Sequence, residues 1–364
     1  VLFLRILIPY TCLLLSSLVP PHIPVYDKRM GAIRAFLSWD VEWFLKIAGG
    51  GYSTEARLAF FPALPFLLRE IGIKGVLILN VILRTISATL QIKLCRRLNQ
   101  LAGEAFAPKT IRKLYFLLVF SPIAVFETVP YTEALFGCLS VVFLLIYSSM
   151  TLYSKRAQIA SYITLMVIGV LMGLVRNTTI FHAGYFVFGI TFSSRPTKEV
   201  ILSISYFLSV LVPLKRRLEQ YYEMCIPLRN VSMIYSGIQY KYWNVGLFNY
   251  WKPKNIPRFL LSLPVALLCL SYIFTESKKW VQNVRLEDRI LPRSTSFKFA
   301  IAVHALTLTL LVTFVANVEI LPRILLSSCS SILVQVPLNR SVIYIIPIIS
   351  VLGAALFGAF LPWT

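Results

Sequence analysis

Acidic residues are scarce in this sequence. Its 364 residues include 15 aspartates and glutamates against 36 lysines and arginines, so the formal net charge is +21. Only Asp27, Asp40 and Asp288 are aspartates, and no two of them form a D-x-D pair. Metal-dependent nucleotide-sugar transferases need such carboxylates to hold a divalent cation on the pyrophosphate, because hard cations require oxygen ligands. The sequence therefore argues against that class of enzyme.

Other metal-binding and nucleotide-binding motifs are lacking as well. The three histidines lie far apart and none belongs to an H-E-x-x-H motif, so a zinc hydrolase is unsupported. No Walker loop is present, which excludes ATP-driven transport by this chain alone. The six cysteines stand singly, and no two form a C-x-x-C pair. We interpret them as small buried hydrophobic residues.

Apolar residues, by contrast, dominate the chain. Hydrophobic residues make up 57% of it and charged residues only 14%, whereas a soluble domain has about 45–50% and about 25%. The basic residues form short clusters between apolar runs, which is typical of the positive-inside rule and not of a nucleic-acid-binding protein. The sequence predicts an all-α polytopic membrane protein with one multispanning domain over 1–364 and no nucleic-acid partner.

A membrane-spanning helix needs about twenty mostly apolar residues. About eleven stretches approach this length: 2–20, 72–92, 111–128, 132–152, 158–175, 179–193, 199–214, 258–275, 298–317, 321–336 and 341–361. The first is too long and too apolar for an ordinary cleaved signal peptide, so we interpret it as an uncleaved signal anchor.

The connections between these stretches alternate in composition. Those rich in lysine and arginine are predicted to be cytosolic: 93–113, 155–156, 195–198 and 278–298. The long segments 21–71 and 215–257, rich in Trp, Tyr, Pro and Gly, are predicted to face the lumen or the exterior. Because 215–257 is itself basic, the alternative is that one short span is misplaced.

The first long segment carries an acidic cluster between two tryptophans. Asp40 and Glu42 stand two residues apart between Trp39 and Trp43, and Glu55 follows a glycine-rich run. The tryptophans are one helical turn apart, which predicts an interfacial helix with its indoles at headgroup level. The acids are either a carboxylate site at the membrane surface or solvated acids among interfacial aromatic residues.

Three further polar clusters lie at span ends that are predicted to share this membrane face. They include Tyr131 and Glu133, then Arg176 and Asn177, and then Tyr242, Trp243, Asn244 and Arg258. Ionisable residues at such positions are costly and are usually retained for a partner or a ligand. The alternative is an ion pair of the Glu133–Arg176 type that holds the bundle together.

Taken in this order, the clusters resemble the glycosylphosphatidylinositol (GPI) mannosyltransferase 2 family. The motifs are W-D-x-x-W-F at 39–44, G-Y-x-x-E and A-F-F-P-x-x-P within 51–65, S-P at 121–122, Y-T-E-A-L-F at 131–136, Arg176-Asn177, Y-W-N-V-G at 242–246, I-P-x-F-L-L-x-x-P at 256–264, V-E-I-L-P-R with S-S within 318–328, and F-L-P-W-T at 360–364. No single motif is decisive, but their joint order is specific and spans nearly the whole chain.

The resemblance implies a GT-C-type glycosyltransferase with about eleven transmembrane helices and lumenal interfacial helices in its first loop. Its donor would be dolichyl-phosphate mannose, without a metal, a nucleotide sugar or another cofactor. The acceptor would be a mannosylated glucosaminyl-phosphatidylinositol, which receives the second, α1,6-linked mannose by a single inverting displacement. The enzyme would lie in the endoplasmic reticulum membrane with a lumenal active site, and a small accessory membrane subunit is a further expected partner.

The resemblance also suggests roles for the clusters. Asp40 is the expected general base for the acceptor 6-hydroxyl, and Glu42 and Glu55 would bind sugar hydroxyls or replace it as base. Arg176 would stabilise the leaving phosphate, with Lys241 and Arg258 as alternatives. The remaining substrate-binding candidates are Trp39, Tyr131, Glu133, Asn177, Tyr242, Trp243 and Asn244.

Two other functions stay open at this point. Another GT-C mannosyltransferase that uses dolichyl-phosphate mannose would share the first-loop acid and the donor, but it would fit the motifs at 39–44 and 242–246 less well. A lipid transporter or scramblase would account for the spans, the charge and the aromatic residues, although not for the paired acids. Transfer of labelled mannose to a one-mannose GPI precursor separates these alternatives.

Overall fold

The computed structural model describes residues 36–101, 108–150, 154–192, 196–224, 234–286, 293–329, 331–335 and 340–359. In these ranges all regular structure is helical and no strand occurs. The α-helices are α1 Val41–Gly50, α2 Ala63–Leu101, α3 Pro108–Val119, α4 Glu133–Ser149, α5 Lys155–Val175, α6 Ala183–Phe192, α7 Pro196–Met224, α8 Ile234–Trp243, α9 Ile256–Leu286, α10 Arg293–Val315, α11 Leu321–Ser328, α12 Ile332–Gln335 and α13 Arg340–Gly358. Short 3₁₀ turns cover Glu55–Ala59, Asn177–His182, Pro253–Asn255 and Val318–Ile320.

Three helical segments of the described ranges are long and apolar enough to cross a membrane. They are Arg156–Val175, Pro253–Gln282 and Phe297–Val315. The predicted all-helical class is confirmed, whereas the number of about eleven spans stays a prediction. The expected signal anchor at 2–20 lies outside the described residues, as do 21–35 and 225–233 of the two long segments.

The stretch predicted as a span at 111–128 is not one helix. Helix α3 ends at Val119, and consecutive turns and bends lead from Phe120 to the start of α4. Pro122 and Pro130 lie in this connection and have no N–H to donate to a helical ladder. The prediction of a continuous span was therefore wrong here, because apolar composition alone does not report broken backbone hydrogen bonding.

A buried polar stripe on α2 supports this broken segment. Asn80 Nδ2 donates to the Val129 carbonyl at 2.6 Å, and Arg84 Nη2 donates to the Val119 carbonyl at 3.3 Å. Arg84 also pairs with Glu127 at 3.2 Å, and the side chains of both are almost fully buried. Non-helical backbone at membrane depth is tolerated only where protein or water satisfies its polar groups. The stripe fixes the path of the chain towards α4.

The stretch predicted as a span at 321–336 is also interrupted. Helix α11 covers only Leu321–Ser328, and Cys329 then leaves the helical conformation. Eight helical residues extend about 12 Å, which is less than half of the hydrocarbon core of about 30 Å. Helix α11 therefore cannot cross a bilayer, and its first turns belong to the site described below.

Close helix packing behind the site depends on glycine and aromatic residues. A Cβ on Gly169 of α5 would lie 2.7 Å from the Tyr206 ring of α7, so only glycine permits this approach. Phe143 of α4 packs edge-to-face on Tyr206 and Phe186, with ring centroids 5.4 and 5.9 Å apart. These contacts hold α4 to its neighbours and so position the N-terminus of α4.

We expect Arg84→Met to destabilise the protein. The substitution keeps an apolar stem but leaves Glu127 buried without its cation, and removing one partner of a buried pair typically costs about 3–5 kcal/mol. Thermal unfolding in detergent measures the effect, with Thr89→Val on an exposed turn of the same helix as control. Equal unfolding temperatures for the two variants would contradict the proposed role of the stripe.

Candidate active site

The polar clusters predicted from the sequence meet at one cavity of about 370 Å³. Eight of the predicted site residues line it: Trp39, Asp40, Tyr131, Glu133, Arg176, Asn177, Trp243 and Arg258. They come from the turn before α1, the region around the start of α4, the end of α5, the end of α8 and the start of α9. Segments far apart in sequence thus form a single site.

Glu133 lies at the centre of the charged residues around this cavity. Its side chain is fully buried, and its Oε1 accepts hydrogen bonds from Arg176 Nη2 at 2.5 Å and Arg323 Nε at 2.7 Å. The ion pair between Glu133 and Arg176 that the sequence offered as an alternative is therefore present. Arg323 also pairs with Asp40, through Nη1 and Oδ2 at 3.3 Å. The buried Glu133 carboxylate thus joins two guanidinium groups, and one of them also pairs with Asp40.

Arg176 is held by three different partners. Besides its contact with Glu133, its Nε donates to Thr132 Oγ1 at 2.7 Å and its Nη1 donates to Ser327 Oγ at 2.9 Å. All three of its nitrogens are engaged, so its planar fork is fixed between α4, α5 and α11. Arg176 therefore joins three elements of the cavity wall.

Arg323 lies between two aromatic rings. Its guanidinium is 4.7 Å from the ring centroids of both Phe126 and Tyr131, a cation–π arrangement. Burial on its own lowers the pKa of Arg323, but the carboxylates of Glu133 and Asp40 raise it by more, so the net pKa is raised and the group stays charged. Arg323 is a permanent cation beside Asp40.

Asp40 contributes a partly exposed carboxylate to the cavity wall. Its backbone N–H donates to the Tyr131 hydroxyl at 2.9 Å, and its Oδ2 faces Arg323. Its side chain is 33% exposed, and Oδ1 makes no hydrogen bond to any residue in the described ranges. Burial, and then the charge of Asp40, raise the pKa of the Tyr131 phenol, which therefore stays neutral. The Asp40 carboxylate is therefore oriented by Arg323 while its side chain stays partly exposed.

Trp39, the residue before Asp40, has an unusual backbone conformation. Its φ of 62° is in the left-handed region, which residues other than glycine enter rarely. Strained backbone persists only where surrounding contacts impose it, and it is common at functional sites. Here the Tyr131 hydroxyl and Arg323 hold the following residue, Asp40, on both its main chain and its side chain.

Five residues named from the sequence do not line the cavity: Glu42, Glu55, Lys241, Tyr242 and Asn244. Glu42 pairs with Lys46 on the same helix, with Oε1 2.5 Å from Nζ. Glu55 accepts from Lys241 at 2.5 Å and from the Tyr242 hydroxyl at 3.1 Å, and the bond with Glu55 raises the pKa of Lys241. Asn244 hydrogen-bonds within its own loop, to the Asn249 carbonyl at 3.4 Å. Glu55, Lys241 and Tyr242 join the first loop to α8 instead.

Aromatic side chains form another wall of the cavity. Trp43 stacks on Phe60 with centroids 5.8 Å apart, and the Trp243 ring meets both edge-on at 6.1 and 5.6 Å. Phe60 and Trp243 line the cavity directly. A mostly apolar, aromatic wall with a few oriented polar groups is typical of small-molecule sites. Such a wall can pack against the C–H face of a sugar ring.

Two charged residues of the cavity have no role assigned from the sequence. Arg323 is one, and Glu319, one turn earlier, is the other. Glu319 Oε2 lies 3.3 Å from Arg258 Nε and accepts from the Tyr250 hydroxyl at 2.7 Å. Both residues belong to the V-E-I-L-P-R motif. Their spacing of four residues was the feature of the sequence that could have indicated that they face the same site.

The described residues contain no group of three or more His, Cys, Asp or Glu side chains that could hold a metal ion. The cavity instead combines three carboxylates with three guanidinium groups: Asp40, Glu133, Glu319, Arg176, Arg258 and Arg323. These side chains can transfer protons, form hydrogen bonds and stabilise charge.

These features define the class of the protein: a helical membrane enzyme with a polar cavity that has an aromatic wall. The family model described as Mannosyltransferase (PIG-V) matches residues 1–364. The chain belongs to this family and is a mannosyltransferase, which confirms the resemblance predicted from its motifs.

Individual relatives agree with this assignment. The chain is 28% identical to GPI alpha-1,6-mannosyltransferase 2 of Homo sapiens, over 82% of this chain and 71% of the human protein. It is 27% identical to GPI mannosyltransferase 2 of Aspergillus fumigatus, over 71% of this chain and 59% of that protein. No solved structure matches the chain significantly.

We expect Glu133→Gln to destabilise the fold strongly. The substitution preserves shape but leaves two buried arginines without their shared anion, and breaking a buried ion pair typically costs about 3–5 kcal/mol. Glu70→Gln makes the same change in an exposed pair with Arg69 and should cost less than about 0.5 kcal/mol. Thermal unfolding of both variants tests the contrast, and a Glu133→Gln variant as stable as the control would show that the network is dispensable.

Proposed function

We propose that this chain transfers the second, α1,6-linked mannose of the GPI anchor from dolichyl-phosphate mannose to a mannosylated glucosaminyl-phosphatidylinositol. The names of its relatives support this reaction. The observation that carries the proposal is the Asp40 carboxylate on the cavity wall, which Arg323 holds through Oδ2 and whose Oδ1 has no hydrogen bond to the described residues. The proposal includes a GT-C-type domain of about eleven transmembrane helices in the endoplasmic reticulum membrane, with a lumenal site. Neither metal nor cofactor takes part, and a small accessory membrane subunit stays among the expected partners.

The chemical step is an inverting displacement at the anomeric carbon of the donor. Asp40 accepts the proton of the acceptor 6-hydroxyl while that oxygen forms its bond to the anomeric carbon. The bond between the anomeric carbon and the phosphate oxygen breaks, and dolichyl phosphate leaves with the bonding electrons. Hydrogen bonding by Arg323 keeps Asp40 aimed at the hydroxyl, which is the positioning that such a step requires.

The leaving phosphate needs hydrogen-bond donors that are not already engaged. All three Arg176 nitrogens have partners, and Lys241 is bound to Glu55 away from the cavity wall. Arg258 uses Nε for Glu319 and Nη1 for the Tyr250 hydroxyl, and its Nη2 has no hydrogen bond within the described ranges. A guanidinium carries five N–H donors in a rigid fork that suits phosphate. Within the described ranges Arg258 keeps three N–H groups without a partner, including both on Nη2, whereas Arg176 keeps two, on nitrogens that are already held by other residues. The larger number of spare donors favours Arg258 over Arg176 as the phosphate ligand.

Asp40→Asn tests the general base. The amide keeps the shape of the side chain but cannot accept the proton, so we expect mannose transfer to fall by about 10²–10⁴-fold at unchanged protein level. Transfer of labelled mannose from dolichyl-phosphate mannose to a one-mannose GPI precursor is the measurement. Glu42→Gln is the matched control, because Glu42 pairs with Lys46 outside the cavity. Normal transfer by Asp40→Asn with loss in Glu42→Gln or Glu55→Gln would move the base to that glutamate.

Arg258→Lys tests the phosphate ligand. Lysine keeps the charge beside Glu319 but loses the planar fork. A hydrogen bond to a charged group is worth about 1.5–3 kcal/mol, so we expect dolichyl phosphate to inhibit transfer about 10- to 150-fold less strongly. Arg57→Lys, at a partly exposed arginine that donates to the Gly51 carbonyl outside the cavity wall, is the control. Equal inhibition of both variants would remove Arg258 from the phosphate site.

A further inference from the structure

The loop from Gly246 to Asn255 is anchored to the C-terminal end of α10. The Gly246 N–H donates to the Val315 carbonyl at 2.8 Å, and the Phe248 N–H donates to the Phe314 carbonyl at 2.7 Å. Trp251 Nε1 donates to the Thr313 carbonyl at 2.8 Å. The last carbonyls of a helix have no partner within it, so the loop satisfies three of them and takes a defined shape.

The outer face of this loop combines large apolar side chains with two lysines. Leu247, Phe248 and Trp251 are 66%, 53% and 50% exposed, and Lys252 and Lys254 are exposed beside them. One membrane-length segment begins at Pro253 and another ends at Val315. Aromatic residues at span ends sit at headgroup level, so this outer face lies where lipid phosphates are found.

The inner face of the same loop supports two residues of the cavity wall, Arg258 and Glu319. Tyr250 is 7% exposed, and its hydroxyl donates to Glu319 and accepts from Arg258 Nη1 at 2.8 Å. Asn255 Nδ2 donates to the Tyr250 carbonyl at 2.7 Å, which fixes the turn between them. Tyr250 therefore contacts two residues of the cavity wall, while its neighbour Trp251 is exposed on the outer face.

We propose that Lys252 and Lys254 bind the phosphodiester of the lipid acceptor while its sugars extend into the cavity. This inference rests on the proposed function, because it concerns how that acceptor docks. Two exposed ammonium groups complement a phosphodiester at headgroup depth, and the apolar side chains beside them enter the boundary of the acyl chains. The loop is thus the acceptor docking surface, separate from the donor phosphate site.

The test is a double charge reversal, Lys252→Glu with Lys254→Glu. We expect the KM for the one-mannose GPI precursor to rise roughly tenfold or more, since each lysine near a lipid surface contributes severalfold to binding. The kcat and the KM for dolichyl-phosphate mannose should stay close to wild type. Lys278→Glu, at an exposed lysine near the other end of α9, is the control.

A soluble acceptor distinguishes a loss of acceptor docking from damage to the active site. Synthetic mannosyl-glucosamine, which lacks both phosphate and lipid, should be used equally by the double variant and the wild type. An unchanged KM for the lipid precursor, or an equal loss of transfer with the soluble acceptor, would overturn the proposed docking surface.

Photoreactive phosphatidylinositol should label the wild type more than the double variant. If inorganic phosphate competes with this labelling and phosphatidylinositol does not, the loop is an anion site only. Absence of transfer by the wild type would refute the proposed function and not this inference alone.

Discussion

Glu133 is fully buried, and its Oε1 is shared between Arg176 and Arg323. Taking these charges out of water is expensive, and the cost is offset only where each group finds charged and hydrogen-bonding partners. Thr132 and Ser327 complete the partners of Arg176, and Asp40 completes those of Arg323. The arrangement forms only when α4, α5, α11 and the turn before α1 are all in place. The geometry of the candidate base therefore depends on the assembly of the whole helical bundle.

The irregular backbone around this network also depends on buried polar partners. The chain from Phe120 to Thr132 gives up helical hydrogen bonds, and Asn80 and Arg84 of α2 supply replacements. A polar stripe on a long apolar helix would be costly in lipid, but here protein covers it. Breaking the helix there brings Tyr131 and Glu133 to the cavity, which an unbroken span through 111–128 would not achieve.

The sequence predicted the helical class and many of the cavity residues, because apolar length and polar residues at span ends are local signals. It did not predict that the side chains of Asp40 and Glu42 point in different directions. Residues two apart on a helix lie about 200° apart, so Glu42 turns to Lys46 when Asp40 faces the cavity. The contact between Arg323 and Asp40 joins residues 283 positions apart. No local pattern reports such a contact, so the V-E-I-L-P-R motif included Arg323 in the resemblance but assigned it neither a partner nor a role.

The proposed inverting reaction constrains which arginine can contact the leaving phosphate. In an inverting reaction the base and the leaving group act on opposite faces of the sugar ring. Arg323 is 3.3 Å from Asp40, so its remaining N–H groups lie on the side of the base and are poorly placed to follow the departing phosphate. Arg258 belongs to a different helix and is held by Glu319 and Tyr250 rather than by Asp40. Glu319 lies in the 3₁₀ turn Val318–Ile320 and Arg323 in the first turn of α11, which follows directly. The junction of these two elements would therefore set the separation between the base and the phosphate ligand.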